Sequence, residues 1–394
     1  MKKLMMIGCA ALAMAGCEKM NNLVSDLVPP QAQPFGVTAK GEKVSLYTLR
    51  GAKGLTLEVT DFGGRVVRCL VPDKNGTMAD VTLGWNTIEE YEKNGFSMGT
   101  LIGRFGNRIA HGKFTLDGKT YQLPINEAKA PRHCNLHGGP DGWDTKVWVA
   151  EAWREQPGGA DTYVPCLTLT LVSPDGDMGF PGTVKCTVTY KVLPNNTWTI
   201  DYEATTDKPT VVNLTHHSYW NMAGEASGNV LDQELQVFAD KWTKTDDGLI
   251  PVKDEPVAGT GFDFRKPCVI GTKRAWMTAQ PWLKCTDNWY DHNFVLRGKV
   301  GELKPAATMR DPKSGRKLEI WTTEPCMQMY GAQNMSAEKG MKAKAAGKVY
   351  GQFQGIALET QHYPDSPNHP EFPSTVLRSG ETFKSHTEYR FSAE

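Results

Sequence analysis

Three residues in this chain stand out for moving protons near neutral pH: the adjacent pair His216 and His217, and Glu359. The histidines lie in the stretch Pro209 to Gly224, which starts as a strand-like run (Thr210, Val211, Val212, Leu214) and runs on into Ser218, Tyr219 and Trp220. β-Branched residues favour an extended backbone and small polar residues break it, so the histidines are expected where a strand runs out into a pocket. Imidazole titrates closest to neutrality of all side chains, which suits general acid or base work. Glu359 ends the apolar run Gly355 to Leu358, ahead of a Pro-rich loop carrying His362, Asp365 and His369. A carboxylate at the end of a buried strand has its pKa raised by desolvation and becomes a base fit for neutral solution. The plain alternatives are a structural imidazole and a solvated strand end held by an ion pair.

Two further polar clusters accompany them. Arg104, Asn107 and Arg108 stand close together among glycines in residues 102–109, and both residue types can hydrogen-bond sugar hydroxyls. His137 precedes Gly138 and Gly139, which would let a ligand approach the backbone closely. His133 and His137 have a spacing that could hold zinc on a helix, but the prolines and glycines around them disfavour one, so no metal site is expected. Oxygen-rich loops at residues 173–177 and 365–368 could supply calcium ligands. Neither matches a dedicated calcium loop, and turn chemistry accounts for them.

The elements that must position these groups are strands. Val44 to Leu49 and Leu55 to Thr60 alternate with period two, and Phe114 to Tyr121 is expected to be a hairpin turning at Asp117-Gly118. Further strands are expected at Leu167 to Val172, Val184 to Leu193, Trp198 to Ala204, Leu235 to Phe238, Asn293 to Leu296, Leu318 to Thr322 and Gly355 to Glu359. Thr87 to Lys93 carries the only marked helical pattern, worth a turn or two. Many short strands separated by turns argue for an all-β chain, a large antiparallel β-sandwich.

The first 16 residues read as a signal peptide: Lys2 and Lys3, then an apolar run from Leu4 to Ala15, with Gly16 before Cys17. Small residues running into a cysteine resemble a bacterial lipoprotein signal, with cleavage before Cys17 and acylation of its thiol. Residues 17–34 then form a polar tether and residues 35–394 the folded domain. The implied location is the periplasm or cell envelope, with the membrane touched only through the lipid. The chain has 44 basic and 44 acidic residues and no basic run, so nucleic acid is not an expected partner. Seven cysteines remain beyond Cys9 and Cys17, at irregular spacing, which is not a disulfide framework.

Eight stretches in order resemble the aldose 1-epimerase (mutarotase) family: GRFGNRI (103–109), NLHGG (135–139), SPDGDMGFPG (173–182), VVNLTHHSYWN (211–221), GTGFDFR (259–265), YDHNFVL (290–296), EPCMQMY (324–330) and LETQHYPDSPNHPEFPSTVL (358–377). The resemblance implies a sandwich of the galactose-mutarotase type, a monomer or dimer with no required cofactor. It makes His217 the proton donor and Glu359 the proton acceptor, with Asn107, Arg108, His137, Asp291 and Gln328 contacting sugar and Ser218 and Tyr219 shaping the site. His216 departs from the pattern, where Asn is usual, and the segment from Asn126 to Asn135 is longer than the family's. The implied substrates are free aldohexoses such as galactose and glucose.

The residue types fit that chemistry unaided. Anomer exchange takes a proton from the anomeric hydroxyl, gives one to the ring oxygen, and lets the opened aldehyde rotate before reclosure. A carboxylate and an imidazolium on opposite sides of the ring would supply both transfers, each worth about 10²- to 10⁴-fold. Neighbouring carboxylates are expected to raise the His217 pKa. A sugar-binding module would need pocket aromatics but no acid–base pair, a glycoside hydrolase two carboxylates, and a sugar-phosphate epimerase more cations.

Overall fold

A computed structural model describes residues 28–156, 163–336 and 341–394; the segment expected to be a signal peptide, Cys17 and most of the expected tether lie outside the described residues. Antiparallel strands dominate, in two large sheets and an amino-terminal one. The nine-stranded sheet is built around the long meander Val164–Ser173, Val184–Leu193 and Thr197–Thr206, with Phe383–Ala393 and Arg316–Thr322 following. The six-stranded sheet runs Tyr219–Trp220, Ile356–Gln361, Cys326–Tyr330, Asp291–Leu296, Ala239–Thr245, Pro251–Pro256. Five strands between Gln33 and Asp80 form the third. The main core includes Trp198, Trp220 and Tyr389 with Leu57, Leu169, Phe294 and Leu358. Trp198 stacks on Tyr389 with ring centres 4.5 Å apart. This is the antiparallel sandwich that the strand pattern calls for.

Local signals behave as their chemistry dictates. The hairpin pairs Lys113–Leu116 with Lys119–Gln122, and its turn residues Asp117 and Gly118 both have positive φ, which only a primed turn requires. The short helix is Ile88–Asn94, capped by the Thr87 hydroxyl accepting from the Glu90 N–H. The strand Phe383–Ala393 has no counterpart among the sequence expectations because its inward side mixes apolar residues with Ser385 and Thr387. Its partners on both sides bury it all the same.

The stretch carrying the histidines is a staple rather than one strand. Thr210 and Val211 pair with Leu377 and Val376, Thr215 and His216 with Ile102 and Leu101, and Tyr219 and Trp220 with Ala357 and Ile356. Between these ladders, Asn213 accepts from the Gly106 N–H at 2.6 Å, and its side-chain oxygen accepts from the His362 N–H at 2.9 Å. The stretch thus joins the 102–109 loop to the strand Ile356–Gln361 that carries Glu359.

Candidate active site

Strand register puts the acidic and amide groups on one face. Gln328 lies opposite Glu359 and Tyr330 opposite Asp291, while Tyr219 lies opposite Ala357, two residues before Glu359. Period two then aims Asp291, Gln328, Tyr330, Glu359 and Tyr219 to the same side of the six-stranded sheet. Over that side close the 102–109 and 135–139 loops, forming a cavity of about 290 Å³ lined also by Asn107, Arg108, Glu127, Arg132, His137 and His217.

The staple splits its two histidines. Successive residues of an extended chain face opposite ways. His216 enters the main core, edge-on to Trp198 at 5.0 Å, and burial drives its pKa down to about 3. His217 faces the cavity, stacked on Tyr219 at 5.0 Å and edge-on to His137 at 5.3 Å. Its backbone is clamped between the Thr100 carbonyl and the Gly99 N–H. The same alternation turns Ser218 away from the substrate side: its hydroxyl meets His216 Nδ1 at 3.3 Å, and Ser218 is not among the lining residues.

His217 Nε2 stands 3.5 Å from Glu359 Oε1, with both side chains buried. Among the described residues, Glu359 Oε2, Gln328 Oε1 and His217 Nδ1 have no hydrogen-bond partner. Burial raises the Glu359 pKa well above the ordinary carboxylate value; Asp291 adds to this and Arg108 opposes it. Burial also lowers the His217 pKa to about 4, against the upward pull of its own backbone and Asp291. The expected upward shift is therefore reversed, because desolvation outweighs the pull of Asp291.

Arg108 and Asn107 anchor the opposite wall. The Asn107 N–H donates to His137 Nδ1 at 3.1 Å, and the His137 N–H donates back to the Asn107 carbonyl. With Nδ1 accepting, the neutral His137 ring carries its proton on Nε2 as a donor. His137 is held neutral, its pKa pushed well below 6.5 by burial and by His217 and Arg108. His137, His217 and Glu359 offer atoms within 4.8 Å of one another. A metal on His137 Nε2 would need the other tautomer and would break the bond from Asn107, so this set suits hydroxyl recognition better than an ion. His133 does not join it.

Asp291 receives the Gln328 amide at 2.7 Å and lies 3.4 Å from Arg108. The Arg108 guanidinium is gripped more closely by Glu127, Nε to Oε2 at 2.7 Å. Burial works against its charge, but Asp291 and Glu127 outweigh burial and raise its pKa. Glu127 in turn meets Arg132 at 3.0 Å. Neither Glu127 nor Arg132 falls in a recognisable motif, so sequence reasoning passes over both. Tyr330 was within reach, two residues from Gln328 on the same strand face.

Arg104 is not at the site. Its guanidinium is caged by the carbonyls of Ser173, Pro174, Pro181 and Gly182 over the ring of Phe180, tying the 102–109 loop to the 173–182 turn. Burial lowers its pKa to about 10. The turn's acidic oxygens bind protein donors too: Asp175 takes the Gly182 N–H and Lys208, and Asp177 takes the Ser173 hydroxyl. The glycines near His137 also serve packing. A Cβ on Gly138 would lie 2.2 Å from the Gly103 carbonyl, and one on Gly103 would lie 2.1 Å from the Trp143 ring.

A buried histidine–glutamate pair ringed by hydrogen-bonding groups, on one face of an antiparallel sandwich, is the site expected of an enzyme that rearranges a small polyhydroxylated molecule. The sequence profile of aldose 1-epimerase matches residues 45–390. Galactose mutarotase of Mus musculus is 37% identical over 89% of this chain and 95% of its own length. Aldose 1-epimerase of Escherichia coli K12 is 35% identical over 90% of this chain and 97% of its own. Among solved structures, an aldose epimerase homologue from C. elegans superposes with a TM-score of 0.77 at 30% identity, covering 89% of this chain and 99% of that one. The chain belongs to the aldose 1-epimerase family. It is an isomerase that interconverts the α and β anomers of an aldose.

Proposed function

We propose that His217 and Glu359 carry out this exchange on free aldohexoses, with galactose and glucose the first candidates. The reading rests on one observation: the 3.5 Å approach of His217 Nε2 to Glu359 Oε1 inside a cavity otherwise lined by hydroxyl-binding groups. Glu359 takes the proton of the anomeric hydroxyl while His217 gives one to the ring oxygen, and the ring bond breaks. The aldehyde rotates about its bond to the next carbon. His217 then recovers its proton from the attacking hydroxyl and Glu359 returns the other, so the pair ends as it began. In the open-chain state Glu359 is protonated and His217 neutral, which is the arrangement that burial favours. Asp291 favours the imidazolium and Arg108 the carboxylate, the pair needed for ring opening. Glu359 receives the one proton and His217 gives the other, so the chemistry asks for no cofactor. Asn107, Arg108, His137, Asp291 and Gln328 orient the sugar, and Tyr219 supports the His217 ring.

Polarimetry of freshly dissolved α-galactose and α-glucose tests this. The mature protein should hasten the approach to an unchanged final rotation. Glu359→Gln should lose at least about 10²-fold in kcat with the fold intact. A variant with near-normal turnover would remove Glu359 from the base role. No acceleration by folded wild-type protein would leave a non-catalytic sugar-binding sandwich as the better reading.

We infer that the chain is exported and tethered to the cell envelope through Cys17, supported by Lys2, Lys3, the apolar run to Ala15 and the small residues before Cys17. Cys17→Ser should abolish labelling by a fatty-acid analogue and release the protein from membranes. A membrane-bound, labelled variant would refute the anchor.

A further inference from the structure

We propose that Glu127 is a positioning residue that sets the orientation of Arg108 toward the sugar, and that Arg132 completes the clamp from the long segment between Asn126 and Asn135. The inference rests on the reading above, in which Arg108 contacts substrate.

The backbone places Glu127 directly beside the loop it serves. Glu127 and Cys134 form an antiparallel bridge, donating to each other's carbonyls at 3.1 and 3.3 Å. Cys134 to Leu136 then pair with Ala110 to Arg108, so Glu127, Cys134 and Arg108 belong to one continuous patch of ladder. From there the Glu127 carboxylate meets Arg108 side-on, Nε at 2.7 Å and Nη2 at 3.4 Å. Nη2 also reaches Asp291 at 3.4 Å. Among the described residues Nη1 has no protein partner, and Arg108 lines the cavity.

Two carboxylates thus divide the work on one guanidinium. Bidentate contact fixes the plane of an Arg head group, whereas a single long contact leaves it free to swing. Glu127 makes the bidentate one, so Asp291 need only balance charge and stays available to a sugar hydroxyl. Glu127 is itself held: Arg132 Nη1 donates to Oε1 at 3.0 Å, the Cys134 thiol approaches Oε2 at 3.3 Å, and Arg132 Nη2 is tied to the Cys285 carbonyl at 2.8 Å. Burial alone would raise the Glu127 pKa, but the two guanidiniums hold it at about 2, so the clamp is charged wherever the enzyme works. The formal charges of Arg108, Arg132, Glu127 and Asp291 cancel, which suits an uncharged sugar.

The test is the mutarotation kinetics of wild type, Glu127→Gln and Arg132→Gln on galactose, with thermal melts of all three. An interaction made equally in ground and transition states appears in KM. Glu127→Gln should raise KM about tenfold while kcat falls by less than KM rises. Arg132→Gln, which leaves the Glu127–Arg108 pair in place, should raise KM about two- to fourfold. A folded Glu127→Gln with unchanged kinetic constants, or with kcat lost at unchanged KM, overturns the proposal. Should Glu127→Gln fail to fold, an unchanged KM in folded Arg132→Gln overturns it instead. Wild-type protein that does not accelerate mutarotation defeats the functional reading itself, which is a separate outcome.

Discussion

At the scale of single residues, the proposed mechanism turns on where one proton sits. His217 and Glu359 are close enough to titrate as a unit, and the form with one proton between them can work in both directions. A second proton, taken up as pH falls through about 4 where burial holds His217, leaves no base. Loss of the first, as pH rises through the raised Glu359 value, leaves no acid. The pH profile of kcat/KM on galactose should therefore be a bell whose acid limb lies near pH 4 and whose alkaline limb lies above the ordinary carboxylate range. An acid limb near 6.5 would mean that His217 is solvated and charged in the free enzyme, contrary to its burial. The types and positions of these two residues are legible in the sequence; their electrostatics are not. Desolvation is set by Tyr219, His137 and the closing loops, none of which is a sequence neighbour of Glu359. Ser218 shows the converse, since strand alternation alone places it on the His216 side.

At the scale of elements, loops are held by packing where the sequence suggests ligand access. Gly103 lies beneath the Trp143 ring, and its carbonyl fills the space at Gly138. Gly103→Ala would push the indole, and with it the loop that carries Asn107 and Arg108. The expected cost is about 1–3 kcal/mol from overpacking, seen as a lower melting temperature, together with a raised KM for galactose. Unchanged melting and kinetics would show that the loop has slack that the packing denies. The hairpin at Asp117-Gly118 and the Thr87-capped helix are readable because their signals are local. The role of Arg104 is not readable: it sits in the same motif as Arg108, and only the 173–182 turn, distant in sequence, decides that it is a strut.

At the scale of the molecule, the cavity wall is drawn from one face of the six-stranded sheet and from the loops and the short 108–110/134–136 pairing that close over it. The class of fold follows from period-two patterning, while the order of strands in the sheets does not. The pairing of Thr197–Thr206 with Phe383–Ala393 joins segments far apart in sequence, and no local signal announces it. The same holds for Glu127, whose partner on the ladder is chosen by the long segment looping back on itself. What the staple from Thr210 to Trp220 adds is a matter of cooperativity. Its short ladders belong to three separate pairings, and the amide groups of Gly99, Asn213 and His217 are bonded across them. The His217 amide, bonded to the Thr100 carbonyl in the middle of this stretch, should therefore exchange with solvent as slowly as the amides of the core, and heating should extinguish activity and structure in one transition. A His217 amide that exchanges well ahead of the core would show that the staple opens locally.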